Sequence, residues 1–210
     1  MSSSPATEQV PERRVSVIVP VKRLGAAKSR TGLPSVERGE LALDLMARTV
    51  TAALAATSVA RVIVVAGDQT VAEAARALGA QAVAEPTEAG LNGAIAAGRA
   101  WTRGAFPEED IAIVVGDLAD LAADDLDTVI AEFHRSGAVI VPDHLGTGTT
   151  MLVHDREDDP ALLFGPDSAA RHEAAGYRRF EAAPAGARHD VDSPADVEGL
   201  GSPGLSRSTH

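Results

Sequence analysis

Ile111-Ala112-Ile113-Val114-Val115-Gly116-Asp117-Leu118 is the stretch that decides the fold. Five apolar residues stand together with no polar alternation, and a carboxylate follows one glycine later. A run this short, rich in β-branched side chains, reads as a strand covered on both faces. Working outward, helical patterns flank it: Leu91 to Arg103 before it, and Leu126 to Ser136 after it, the latter stopped by Gly137. Further strands are predicted at Val15–Pro20, Arg61–Ala66, Gln81–Ala84 and Ala138–Val141, with helices at Val36–Thr57 and Thr70–Leu78. Strand followed by helix, repeated, with apolar strands throughout, predicts an α/β fold. It is read as a single domain with a mostly parallel, Rossmann-like central sheet and helices on both faces.

Past Pro142 the pattern changes. Thr149–His154 and Tyr177–Glu181 read as strands, separated by a loop and a short helix between Ala161 and Gly176. Ser193-Pro194-Ala195-Asp196 has the form of a helix start, with a Ser cap, Pro at the first position and an acid three residues on. This C-terminal third is expected to lie over the sheet edge and complete a pocket. Residues 1–13 are expected to form a flexible leader, 14–200 the folded domain and 201–210 a flexible tail.

Length and composition agree with one domain of 210 residues. There is no cysteine, which removes disulfides, thiolate metal sites and a catalytic thiol. No apolar run reaches the ~20 residues that span a bilayer, and the expected location is the cytoplasm. A net charge of −11 repels nucleic acid and anionic membranes, so neither is expected as a partner.

An acidic protein that handles an anion must gather positive charge locally. Between Arg13 and Arg30 there are six cations and no acid, and the chain's two lysines, Lys22 and Lys28, both fall there. This loop, Lys22-Arg23-Leu24-Gly25-Ala26-Ala27-Lys28-Ser29-Arg30, leaves the first strand at the edge where open α/β sheets bind ligands. Compact ammonium groups suit phosphates, and small residues at Gly25 to Ala27 let backbone N–H groups approach them. The spacing is neither a Walker A loop nor Gly-x-Gly-x-x-Gly. The alternative is a solvated basic loop. Asp117 leaves the central strand at the same edge, and Asp190 and Asp192, if extended, share a face. Three carboxylates with polyphosphate oxygens would satisfy Mg2+. Taken singly, each Asp is equally well a turn or cap residue.

Five motifs occur in order: Val19-Pro20-Val21-Lys22 through Ala27-Lys28-Ser29-Arg30, Gly90-Leu91-Asn92, Gly116-Asp117-Leu118, Phe164-Gly165-Pro166 with Ser168, and Asp190-Val191-Asp192-Ser193-Pro194. Over residues 14–200 the chain resembles the 2-phospho-L-lactate or phosphoenolpyruvate guanylyltransferases of deazaflavin coenzyme F-420 biosynthesis, within the MobA-like, GT-A-type nucleotidyltransferases. The resemblance implies attack of an acceptor phosphate on the α-phosphorus of GTP, with pyrophosphate leaving. It implies Mg2+ on Asp117, Asp190 and Asp192, and a small phosphorylated three-carbon acid on Thr150, Gly165 and Ser168. Lys22, Arg23, Gly25, Lys28 and Arg30 are expected at the nucleotide, with Lys22, Lys28 and Asp117 as the catalytic set. Asn92 is expected at ribose or base, or as a helix cap. Two departures stand out: Ala119 where the family has Pro, and Asp167 where it often has Gly. His172 and His189 are read as packing or peripheral hydrogen-bonding residues, and a homodimer is left open. The rival readings are a molybdenum-cofactor or sugar-1-phosphate nucleotidyltransferase, and a non-catalytic nucleotide-binding protein.

Overall fold

The computed structural model describes residues 14–26, 33–87 and 90–199. The expected leader and tail, and Lys28 and Arg30, lie outside the described residues. In chain order the strands are β1 (Val15–Val21), β2 (Val59–Ala66), β3 (Gln81–Ala84), β4 (Asp110–Val114), β5 (Val139–Pro142), β6 (Thr149–His154) and β7 (Arg178–Arg179). The α-helices are α1 (Ser35–Ala55), α2 (Gln69–Ala77), α3 (Gly90–Ala105), α4 (Ala123–Ser136), α5 (Ser168–Ala174) and α6 (Pro194–Gly199).

One seven-stranded sheet runs β3-β2-β1-β4-β6-β5-β7. Every pairing is parallel except those of β6, which runs antiparallel to both β4 and β5. The fully apolar strands follow from this burial on two faces. Val17 and Val19 of β1, with Ala112 and Val114 of β4, pack against Met46 and Val50 of α1, Val71 of α2 and Val129 of α4. Their neighbours Ile18, Ile111 and Ile113 turn the other way, onto Ala94 and Ile95 of α3 and Ala169 of α5. Each fully buried isoleucine contributes about 1.5–3 kcal/mol.

The C-terminal third departs from expectation. β6 does not cover the edge but inserts between β4 and β5. The turn from Asp143 to Gly148 is too short for a parallel crossover, which needs a dozen residues or more, so β5 and β6 must form a hairpin. The strand predicted at Tyr177–Glu181 pairs only through Arg178 and Arg179. The helix start at Ser193 forms as expected: Asp196 Oδ2 accepts from the Ser193 backbone N–H at 2.7 Å, and the Asp196 N–H donates to Ser193 Oγ at 3.3 Å.

Candidate active site

The parallel register sets Ile18 beside Ile113. Lys22 follows the end of β1 and Asp117 lies three residues beyond the end of β4. Gly116 lies against the end of β1, where a Cβ would stand 3.3 Å from the Pro20 carbonyl oxygen and 3.1 Å from Val21 Cγ2. The first strand therefore delivers its cations, and the central strand its carboxylate, to the same edge. Lys22, Arg23 and Gly25 are exposed there.

The basic loop is fixed from β2. The Gly67 N–H donates to the Val21 carbonyl at 2.8 Å. Asp68 divides its carboxylate, Oδ1 accepting from the Val71 N–H at 3.0 Å as the cap of α2 and Oδ2 from the Leu24 N–H at 2.9 Å. A Cβ on Gly67 would stand 2.6 Å from the Lys22 carbonyl carbon and closer still to the Arg23 nitrogen, so only glycine fits. These residues buttress the loop, a role visible in sequence only as Gly-Asp after a strand.

The segments that carry Asp117 and Asp190 meet. Leu118 and Asp190 form an isolated antiparallel bridge, and the Val191 N–H donates to the Asp117 carbonyl at 3.2 Å. Thr49 of α1 braces the segment, its hydroxyl lying 3.2 Å from the Leu118 nitrogen and 3.3 Å from the Leu118 oxygen. Burial first, then the charges of Asp117, Asp192 and Asp143, push the Asp190 carboxyl up to about 7. Carboxylate oxygens are the donor type that a hard divalent ion such as Mg2+ takes. Among the described residues, the three carboxylates do not gather within 4.8 Å of one another as His144, His189 and Asp196 do.

Because β6 runs backwards, its first residues reach this same edge. Thr150 is buried; its carbonyl accepts from the Val115 N–H at 3.0 Å and its hydroxyl lies 2.6 Å from the Ala187 oxygen. Asp143 closes the turn before it, accepting from the Thr147 and Gly148 N–H groups, both at 2.8 Å. The Ala169 N–H donates to the Thr147 carbonyl at 3.0 Å, which draws α5, and with it Ser168 and Gly165, onto this turn.

His172 completes the join. Its Nε2 accepts from the Leu163 N–H at 2.9 Å, so the proton sits on Nδ1, which donates to Thr149 Oγ1 at 3.0 Å. Burial first, then the Arg171 charge, hold this ring down to about 4, and it is neutral at pH 7. Asn92 plays a matching part from α3: its amide nitrogen donates to the Phe164 carbonyl and its amide oxygen accepts from the Phe164 N–H, each at 3.0 Å. Both amide atoms thus face backbone, so Asn92 braces the Phe164–Gly165 turn rather than presenting itself to a nucleotide. Gly165 has φ +128°, outside the reach of ordinary side chains, and Asp167 adopts the left-handed φ 54°, ψ 29°. Asp is among the residues that tolerate this region, which accounts for its standing where the family pattern has glycine. Ala119, where the pattern has proline, is buried against Leu45 and Val191.

A mostly parallel α/β sheet with cations, carboxylates and two hydroxyl- and glycine-rich turns at one edge defines a nucleotidyltransferase. The fold is shared with 4-diphosphocytidyl-2C-methyl-D-erythritol synthase (TM-score 0.60, 11% identity, 89% of this chain and 96% of that one). It is also shared with CMP:2-keto-3-deoxy-manno-octonic acid synthetase solved with CTP (TM-score 0.58, 14% identity, 89% and 96%). The chain belongs to the family described as "Guanylyl transferase CofC like", which matches residues 15–175. Its relatives include the phosphoenolpyruvate guanylyltransferase of Nocardia farcinica (strain IFM 10152), 40% identical across 93% of this chain and 88% of that protein. The enzymes of the same name from Streptomyces coelicolor (39% identical; 87% and 87%) and Mycobacterium marinum (36%; 93% and 91%) are also similar.

Proposed function

We propose that the protein joins GTP to phosphoenolpyruvate: a phosphate oxygen of the acceptor bonds to the α-phosphorus, the bond to the β-phosphate oxygen breaks, and pyrophosphate leaves. The observation that carries this reading is the meeting of two halves along β4. Lys22 and Arg23 lie on its β1 side, and the Thr150 and Gly165–Ser168 turns lie on its β6 side. Phosphoryl-type transfer asks a protein chiefly for positioning and charge stabilisation. Lys22 and Arg23, with Lys28 and Arg30 of the same loop, hold the departing phosphates. Backbone N–H groups around Gly165 and the Ser168 hydroxyl receive the acid, while the Thr150 hydroxyl, which donates to the Ala187 carbonyl, braces the start of β6 beside them. Asp117, Asp190 and Asp192 hold Mg2+, which when bound screens the repulsion between two anions and acts as a Lewis acid. The relatives' names favour phosphoenolpyruvate, and the product then enters deazaflavin coenzyme F-420 biosynthesis.

Pyrophosphate release, measured with four nucleoside triphosphates against phosphoenolpyruvate, 2-phospholactate and a sugar 1-phosphate in Mg2+, tests the reading. GTP with phosphoenolpyruvate should give the highest kcat/KM, and chelating the metal should abolish turnover. Turnover of the sugar phosphate alone, or nucleotide binding with no pyrophosphate from any acceptor, would overturn it.

A further inference from the structure

A second group of metal-binding side chains stands beside the aspartates. One ring nitrogen of His144, one of His189 and a carboxylate oxygen of Asp196 all lie within 4.8 Å of one another. His144 belongs to the β5–β6 turn, whereas His189 and Asp196 flank the segment that carries Asp190 and Asp192. We propose that these three residues bind a borderline divalent transition ion, Zn2+ or a close relative, distinct from the magnesium held by the aspartates.

The donor set speaks for such an ion. Magnesium takes oxygen ligands, whereas paired imidazoles with one carboxylate suit zinc, cobalt and nickel. The spacing agrees. His189 Nε2 faces Asp196 Oδ1 at 3.7 Å, beyond a hydrogen bond yet close to the about 3.3 Å that separates two ligands of one tetrahedral ion. His189 turns its other nitrogen, Nδ1, to Asp120 Oδ2 at 3.9 Å. That carboxylate is too far to accept a hydrogen bond from the ring, but its negative charge favours a cation beside it. His144 likewise directs Nδ1 to Asp190 Oδ1 at 3.9 Å, and the two rings meet edge to face at 5.0 Å.

Asp196 is ready as a ligand. Its carboxylate accepts from the Ser193 N–H and hydroxyl and from the Asp192 N–H. Oδ2 accepts all of those bonds, while Oδ1 is the oxygen turned to His189. About two-fifths of each histidine side chain is exposed, so an ion can enter from solvent. Bound there, it would clasp the β5–β6 turn to residues 189–196 and fix the backbone that carries Asp192.

Cobalt(II) absorption in excess Mg2+, read on the whole protein without nucleotide, tests this, because imidazole-bound, low-coordinate cobalt absorbs far more strongly than cobalt among oxygens. One equivalent should develop the intense visible bands, and one equivalent of Zn2+ should bleach them. H144A and H189A should each weaken cobalt binding about tenfold or more, with far-ultraviolet circular dichroism unchanged, while D117N keeps the spectrum. Wild-type affinity in both histidine variants, or loss of the bands in D117N alone, would place the ion on the aspartates and overturn the proposal. The readout needs no turnover and stands whichever acceptor the enzyme uses.

Discussion

Asp117 adjoins the short antiparallel bridge between Leu118 and Asp190. Replacing Asp117 with Asn should remove turnover by two orders of magnitude or more (about 10²–10³-fold) and leave the thermal midpoint within a few degrees of wild type. A variant that folds and retains its rate in Mg2+ would remove Asp117 from the metal. Asp167 makes a gentler case. Its left-handed backbone is the natural place for glycine, and its charge lies beside the turn that receives an anion. Asp167→Gly should leave stability within about 1 kcal/mol and lower KM for phosphoenolpyruvate in steady-state kinetics. A raised KM would mean that the carboxylate takes part in binding.

At the scale of elements, the basic loop and the acceptor turns are held by different braces. Gly67→Ala would drive a Cβ into the Lys22–Arg23 backbone, an overpacking that costs about 1–3 kcal/mol. It should raise KM for GTP while sparing KM for the acceptor. His172→Ala should do the reverse, since it releases β6 from the Leu163 segment and leaves a buried N–H without its acceptor, a loss of about 1–3 kcal/mol. Equal effects of both variants on both substrates would deny the division. The sequence disclosed the first brace only dimly and the second hardly at all. β1 and β4 were legible because apolar runs are local signals, and the carboxyl-edge rule pointed from them to Lys22 and Asp117. The antiparallel course of β6 was in reach through the six residues of its turn. His172, read as a packing or hydrogen-bonding residue, is one, though the sequence does not name its partners; the work of Asn92 was out of reach, because it meets backbone 72 residues away.

Across the whole molecule, buried groups set opposing responses to acid. His154, held down to about 4 chiefly by burial, and His172 stay neutral in the fold yet take up protons when unfolded below about 6.5. Each removes stability as pH falls from there towards 4. Asp190 does the opposite: its raised carboxyl binds a proton in the fold below about 7, whereas the unfolded chain releases it down to about 3.9. It therefore adds stability across nearly the same window. Asp190→Asn should raise the unfolding free energy at pH 8, match wild type near pH 4, and show a steeper decline between. Denaturant titrations at three pH values would show it, and parallel curves for the two proteins would contradict it.

The reversed strand has a further consequence. In the proposed reading, residues for the nucleotide come from strand ends on one side of β4, and those for the acid come from the hairpin turn and the start of β6 on the other. A lineage could remodel the hairpin tip and the helix docked on it, trading one small phosphorylated acid for another, while the triphosphate grip stayed untouched.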